Sequence, residues 1–409
     1  MEQWWKTWSE INQKLRGKKV VFYGRSEDLI PKTLRKVNIE PTYIVDRTPS
    51  AENTTYLGYP VKLPEKLFQE DHNKIFIVIT ADSYEGITAL LIENGFKAGL
   101  HFALCPEFKD WCLLEEMRNY DQKIIVSCSD HADKLKVRHS RAGGGVYRYH
   151  IGPNIITLLQ KGAFRQITQA GELIFAVEFG ERQIYIFDLD FKVLEIKQLK
   201  ETDACGLAYN KKHHVLFVVN SREDTILVYE ANNFKLVDKV YYSNKSKNNL
   251  GHRNHHLNDV CVSEDSLFVS YFSHSGNWGR EVYDGGISEY HIDHLNNPPV
   301  RVVEGLWKPH SPEIIQGNLC YLDSMRGRLY LNSQEIAGEF PGFARGLAHD
   351  GRFYYVGQSE DMYVTKRFSV AGNTMLNAGF YLFDAATKAS RFYSMLDNMN
   401  IHDLFIPKN

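Results

Sequence analysis

The chain has 409 residues, of which 43% are hydrophobic, and a formal net charge of −2. That length supports two, at most three, globular cores, and the near-neutral balance leaves no basic field for phosphate backbones, which excludes nucleic acid as a general partner. Six cysteines without a CxxC pair or regular spacing fit a reduced cytoplasmic protein, and no apolar run approaches the ~20 residues that a membrane span needs.

The first segment, "MEQWWKTWSEINQKLRGKK", sets Trp4, Trp5, Trp8 and Ile11 at roughly helical spacing. It lacks the uninterrupted apolar core and small-residue cleavage site of a signal peptide, so it reads as a first helix docking on its own domain. From 19 to about 108, short apolar runs alternate with helical stretches: "KKVVFYG", "PTYIVDR" and "KIFIVITA" as strands, "SEDLIPKTLRKVN" and "SYEGITALLIENGF" as helices. Continuous apolar strands separated by helices imply a parallel sheet covered on both faces. The expectation is a small Rossmann-like α/β domain over 1–120.

A dinucleotide fold places GxGxxG in its first strand-to-helix turn, and "YGRSEDL" has only Gly24 there. Asp46 ends the second strand, where an acid meets a ribose in such folds or simply starts a turn. Gly24 and Asp46 are the cofactor-binding candidates, and NAD is unlikely. The stretch from "YIVDRTPS" through "YLGYPVKLPEKL" to "ITALLIENGF" resembles the small Rossmann-like modules attached to bacterial sugar-modifying and methyl-transferring enzymes. The resemblance implies a sugar-biosynthesis neighbourhood and names no catalytic residue.

After 120 the rhythm changes to short β-rich pieces such as "LIFAVE", "QIYIFDL", "VLFVVNS", "TILVYEA" and "GFYLFDA", parted by polar turns. Each unit opens on a polar entry and an apolar strand, and the entries fall near Gln166, Cys205, His256, His310, Arg345 and His402. Their spacing of roughly 35 to 57 residues matches four-stranded blades with variable loops. The reading is a six-bladed β-propeller over 121–409. "IHDLFIPK" is a first strand with no second after it, and "KIIVSC" and "GGGVYRYHI" look like later strands lacking a first, so the C-terminal strand is expected to close the ring.

In a propeller the innermost strands line the axis, so their entries converge on one mouth. His256, His310 and His402, with Gln166, are the expected ligands of a divalent transition metal such as Zn, Mn or Fe. Asp259, Glu313 and Asp403 follow the histidines closely and are candidates to orient them. Arg345 is expected to hold a carboxylate or phosphate, while His274 or Tyr283 moves a proton. "HSGNWGREVYDGG" adds Trp278, Arg280 and Tyr283 on the same face; "VRHSRAGGGVYRYH" adds Arg138, His139 and Arg141.

The stretches "HSRAGGGVYR", "RNHHLNDV", "KPHSPEI", "GFARGLAHDGRFYYVGQSE" and "HDLFI" resemble a group of bacterial six-bladed propellers of unassigned activity, related in plan to gluconolactonase-like and strictosidine-synthase-like families. Gluconolactonase-like propellers hold a metal through Glu, Asn and Asp, whereas the axial positions here favour His. That ligand type is similar to propeller polysaccharide lyases that hold Mn through several His and a Gln. The expectation is a metal-dependent lyase, hydrolase or isomerase for a small, anionic, sugar-like substrate. The alternative is a non-catalytic scaffold recognising a nucleotide-sugar or a protein. Oligomers are compatible with either.

Overall fold

Apolar runs of three to five residues build the N-terminal sheet in the computed structural model, which describes residues 6–130, 143–200, 203–332, 334–360 and 373–408, and for 109–112 only the helix that contains them. The chain divides into two compact units, Met1–Asn119 and Tyr120–Asn409. No helix among the described residues is long and apolar enough to cross a membrane.

In the first unit Lys19–Tyr23 lies between Tyr43–Val45 and Ile75–Ile79, parallel to both, and Phe102–Leu104 extends the sheet beyond Ile75–Ile79. Tyr59–Lys62 runs parallel to Tyr43–Val45, and the two-residue strand Thr55–Tyr56 turns back antiparallel at the edge, so the sheet is mixed. Alternate residues of one strand face opposite sides. Val20 and Phe22 pack with Ile11, Leu15, Leu29 and Ile30, while Val21 and Tyr23 pack with Leu67, Ile87 and Leu91. Both faces are therefore covered. The first helix, Trp8–Leu15, starts at a capping box in which Thr7 and Glu10 satisfy each other's backbone amides.

The second unit is a six-bladed propeller of four-stranded antiparallel sheets. The inner strands of blades 1 to 5 are Phe164–Ala170, Ala204–Asn210, Leu257–Val262, Pro309–Ile315 and Phe343–His349. In blade 6 the inner strand is Ile401–Phe405, paired antiparallel with Lys123–Cys128, which continues outward to Gly145–His150 and Ile155–Lys161. Apolar residues from facing sheets fill the spaces between blades. Phe175, Val177 and Ile184 of blade 1 meet Leu207, Leu216 and Leu227 of blade 2, and Phe217 and Ile226 of blade 2 meet Val260, Leu267 and Val269 of blade 3. Each such side chain contributes about 1.5–3 kcal/mol through burial.

Every inner strand is irregular at the same height. The register slips between Phe164 and Ile167, Ala204 and Gly206, Leu257 and Val260, His310 and Glu313, Ala344 and Leu347, and Ile401 and Asp403. A bulge leaves backbone groups unpaired in the ladder, and buried amides need partners. Side chains from neighbouring blades supply them. Gln166 Oε1 accepts from Leu207 N (2.9 Å) and Val260 N (3.1 Å), Asp259 Oδ2 from Ser311 N (2.8 Å), Ser311 Oγ from Gly346 N (2.9 Å), and Asp403 Oδ2 from Ile167 N (2.9 Å). These polar contacts stitch the blades together around the axis. On the periphery, the glycine run 143–145 is steric in origin: a Cβ on Gly144 would lie 1.9 Å from the Asp130 carbonyl oxygen.

Candidate functional site

The bulges decide which side chains reach the axis. Arg165, Cys205, Asn258, His310, Arg345 and His402 stand at the bulge, or immediately before it, in blades 1 to 6. This ring differs from the sequence expectation in two blades. In blade 1 the ring residue is Arg165, and the Gln166 amide is taken up by the backbone, its Nε2 donating to Val260 O at 2.7 Å. In blade 3 it is Asn258, because His256 precedes the strand altogether. His256 has a left-handed backbone (φ 54°), as do Asp203 (φ 62°) and Lys308 (φ 55°) just before the inner strands of blades 2 and 4. Non-glycine residues seldom adopt this conformation, which redirects the side chain at the strand entry.

The imidazoles consequently occupy two layers. His310 and His402 meet edge to face with ring centroids 6.4 Å apart. His256 stacks on Phe272 at 4.5 Å, and Phe272 in turn meets His310 at 5.1 Å, so a phenyl ring separates the two imidazoles. Among the described residues, the only three His, Cys, Asp or Glu side chains that bring ligand atoms within 4.8 Å of one another are His213, Asp265 and Asp293. The three axial histidines therefore do not form the common coordination sphere expected from the sequence. The peripheral His213 group offers a possible His/Asp cation site, although Asp265 is already paired with Lys212 at 2.5 Å.

What converges at the mouth is positive charge, imidazole and aromatic surface. Arg345 is 9% exposed and Lys308 is fully buried. Lys308 Nζ lies 4.5 Å from the Trp278 ring centroid and 4.9 Å from that of Tyr283. The Arg165 guanidinium sits 3.6 Å from the Phe179 ring centroid. Stacking on aromatic faces suits cations in partly desolvated places. All three histidines are pushed well below the usual imidazole range, first by burial; Arg345 adds to this at His310 and His402, and Arg253 at His256.

The hydrogen bonds sort these imidazoles by role. His310 Nδ1 lies 2.9 Å from the Lys308 carbonyl, which can only accept, so Nδ1 carries the proton and Nε2 presents its lone pair to Asn258 Nδ2 at 2.8 Å. His402 is 1% exposed, and neither of its ring nitrogens has a hydrogen-bond partner among the described residues. Its Nδ1 stands 4.0 Å from Asp259 Oδ1, which likewise lacks one. Burial raises Asp259 to about 6 against the pull of Arg345, the Ser311 amide and Arg165. Buried polar atoms without partners are uncommon in folded proteins, and here they face the same axis.

Other expected residues lie elsewhere. His274 is exposed, with its ring 6.3 Å from Tyr271. Tyr283 belongs to the aromatic cover over Lys308, while Arg280 is exposed. His255 turns away from the axis, bonded to Ser243 Oγ and the Ser273 carbonyl. Asp403 spends its carboxylate on Ile167 N and Leu404 N. Glu313 lines a cavity at the other end of the inner strands. Arg138, His139 and Arg141 fall outside the described residues.

In the first unit Gly24 (φ 108°) packs against Ala81, so closely that a Cβ would lie 2.1 Å from the Ala81 Cβ. Asp46 pairs with Arg25 at 3.3 Å and accepts from Thr48 N at 2.8 Å. Both candidates for cofactor contact thus have structural work at the strand ends. The residues missed by sequence reasoning are Arg165, Asn258 and Lys308. The adjacency "FRQ" in blade 1 was the one available signal, since Arg165 and Gln166 compete for the same rung.

No protein-family model matches the chain, and no curated protein matches it. Among solved structures it is similar to a chain of a nidogen/laminin complex (10% identity, TM-score 0.47, covering 69% of this chain and 97% of that one). It is also similar to regucalcin from Agrobacterium tumefaciens, described as a calcium-binding protein (11% identity, TM-score 0.41, 57% and 74% covered). A third is Kuenenia stuttgartiensis hydrazine synthase (12% identity, TM-score 0.34, 57% and 67% covered). The six-bladed plan stands on the sheet order itself.

Proposed function

We propose that the axial mouth of the propeller binds a small anionic, sugar-like metabolite and acts on it by acid–base chemistry, as a lyase, hydrolase or isomerase. The observation that carries this reading is His402: among the described residues neither nitrogen of this buried imidazole has a hydrogen-bond partner, nor has the Asp259 oxygen beside it, and both lie within the field of Arg345 and Arg165. A ligand that brings negative charge and polar oxygens satisfies all of these groups together. Arg345 and Arg165 take the carboxylate or phosphate, and Trp278 and Phe272 offer faces to the sugar-like body.

Binding also prepares the bases. Burial, with Arg345 adding to it, holds His310 and His402 neutral, and an anion that offsets Arg345 moves both imidazoles part of the way back towards the range where they accept a proton. His402 is the group assigned to proton transfer. Asp259 stabilises the imidazolium that results, and His310, its tautomer held by the Lys308 carbonyl, receives or orients the second proton. Zn, Mn or Fe enters no step, because the three histidines do not converge as donors.

The test is thermal unfolding of the full chain with glucuronate and inorganic phosphate as anionic probes and glucose as the neutral control. The anions should raise Tm in the wild type and not in Arg345→Met, and glucose should do neither. Equal shifts in the variant, or no shift with either anion, overturn the reading.

A further inference from the structure

Asn258 and Asp259 are consecutive, yet both side chains reach the axis, Asn258 at His310 and Asp259 beside His402. Consecutive residues of a regular strand face opposite ways, but these two stand in the bulge of blade 3, where the register slips between Leu257 and Val260. Their backbone is held from two directions. A Cβ on Gly206 of blade 2 would lie 2.4 Å from the Asn258 carbonyl oxygen, and Ser270 Oγ accepts from Asp259 N at 3.0 Å and donates to the Asp259 carbonyl at 3.2 Å. The two residues are 3% and 2% exposed, so their side chains are presented on a rigid, buried support.

A chain of donors and acceptors fixes the orientation of the Asn258 amide. The Lys308 carbonyl takes the Nδ1 proton of His310, the lone pair on His310 Nε2 accepts from Asn258 Nδ2 at 2.8 Å, and Oδ1 is the other end of the amide. This oxygen has no hydrogen-bond partner among the described residues, and neither has Asp259 Oδ1. An amide oxygen only accepts. A carboxylate drawn in by Arg345 and Arg165 brings further acceptors and leaves Asn258 Oδ1 as it was, and a buried oxygen without a donor is costly. An ammonium donor is repelled by the same arginines. The donor that fits is a neutral hydroxyl.

We propose that Asn258 selects the ligand of the axial mouth by its hydroxyl groups: a polyhydroxylated acid lays one hydroxyl on Asn258 Oδ1 while the arginines hold its carboxylate. This rests on the anionic reading of that mouth and narrows it, from any small sugar-like anion to sugar acids and related hydroxy acids. A neutral amide suits the role, since it accepts a hydroxyl without taking its proton and leaves proton transfer to His402. A site that hydrogen-bonds a hydroxyl discriminates against the analogue lacking it, because the buried acceptor then stays unsatisfied.

The experiment is calorimetric titration of the full chain with glucuronate and with tetrahydropyran-2-carboxylate, which keeps the ring and the carboxylate and lacks every hydroxyl. The wild type should bind glucuronate at least about tenfold more tightly. Asn258→Leu, close in volume, should lose that preference: glucuronate weakens at least about tenfold, and the hydroxyl-free acid stays within about twofold. Equal affinity of the two acids for the wild type, or a preference that survives in N258L, overturns the assignment and leaves the anion site standing. Equal weakening of both acids by N258L marks Asn258 as a support for His310 and overturns it as well. Saturable binding of neither acid overturns the anionic reading and this inference together. Should N258L fail to fold, Asn258→Ala goes through the same comparison, and the wild-type preference between the two acids is read independently of either variant.

Discussion

Replacing His402 by phenylalanine tests the site without knowledge of its ligand. The substitution keeps a flat ring of similar size and deletes two buried nitrogens that have no hydrogen-bond partner among the described residues. An unsatisfied buried polar group costs about 1–3 kcal/mol, and the slightly larger ring returns part of the gain as crowding, commonly below about 1.5 kcal/mol for volume-conserving changes. The net expectation is stabilisation by about 1 kcal/mol, or about 2 °C in Tm for a unit of this size.

The pH dependence sharpens this prediction. The native imidazole lies well below its ordinary value, so above about pH 6.5 neither the native nor the unfolded state carries the proton. As pH falls below 6.5, the unfolded chain gains a proton that the native site refuses. Wild-type stability therefore drops by up to about 1.4 kcal/mol per pH unit from this group, and H402F lacks that loss. Calorimetric unfolding at pH 7.5, 6.5 and 5.5 should show the advantage of H402F widening as pH falls. If H402F lowers Tm by more than about 4 °C, or the difference is flat with pH, the imidazole is a structural member of the core and the reasoning fails.

Further expectations concern the rest of the axis. Ser311→Ala removes the acceptor for the buried Gly346 amide and should cost about 1–3 kcal/mol in urea denaturation; an unchanged midpoint would show that the amide finds water. Gly144→Ala places a methyl group within contact of the Asp130 carbonyl and should destabilise by about 3 kcal/mol or more. His310→Ala should leave the metal content of the purified chain unchanged, because the axial imidazoles do not share a coordination sphere. One metal ion per chain lost on mutation of His310 would contradict this. Deleting 400–409 removes the partner of Lys123–Cys128 and should abolish cooperative unfolding, whereas a folded, monomeric truncation would show that blade 6 does not depend on it.

The blade count was legible in the chain because a four-stranded antiparallel blade is a local object. Its strands follow one another through short turns, so "VLFVVNS" and "TILVYEA" announce neighbouring strands wherever the blade sits. The parallel runs of the first unit were legible for a similar reason, since a strand buried on both faces, such as Ile75–Ile79, is apolar throughout. The axial ring was only half legible. The slips in blades 1 and 3 hold Arg165 and Asn258, which the pattern did not single out.

The physical reason is the period of the strand. Side chains alternate with a period of two, so a single extra residue in a bulge moves the axial rung by one place, and pattern alone does not distinguish Arg165 from Gln166. A left-handed turn at 256 sets its imidazole outside the ring, behind Phe272. Repeat, strand and turn were properties of local segments and belonged to the sequence. The joining of arginines and imidazoles at one mouth depends on contacts between blades, and only the tertiary structure decided it.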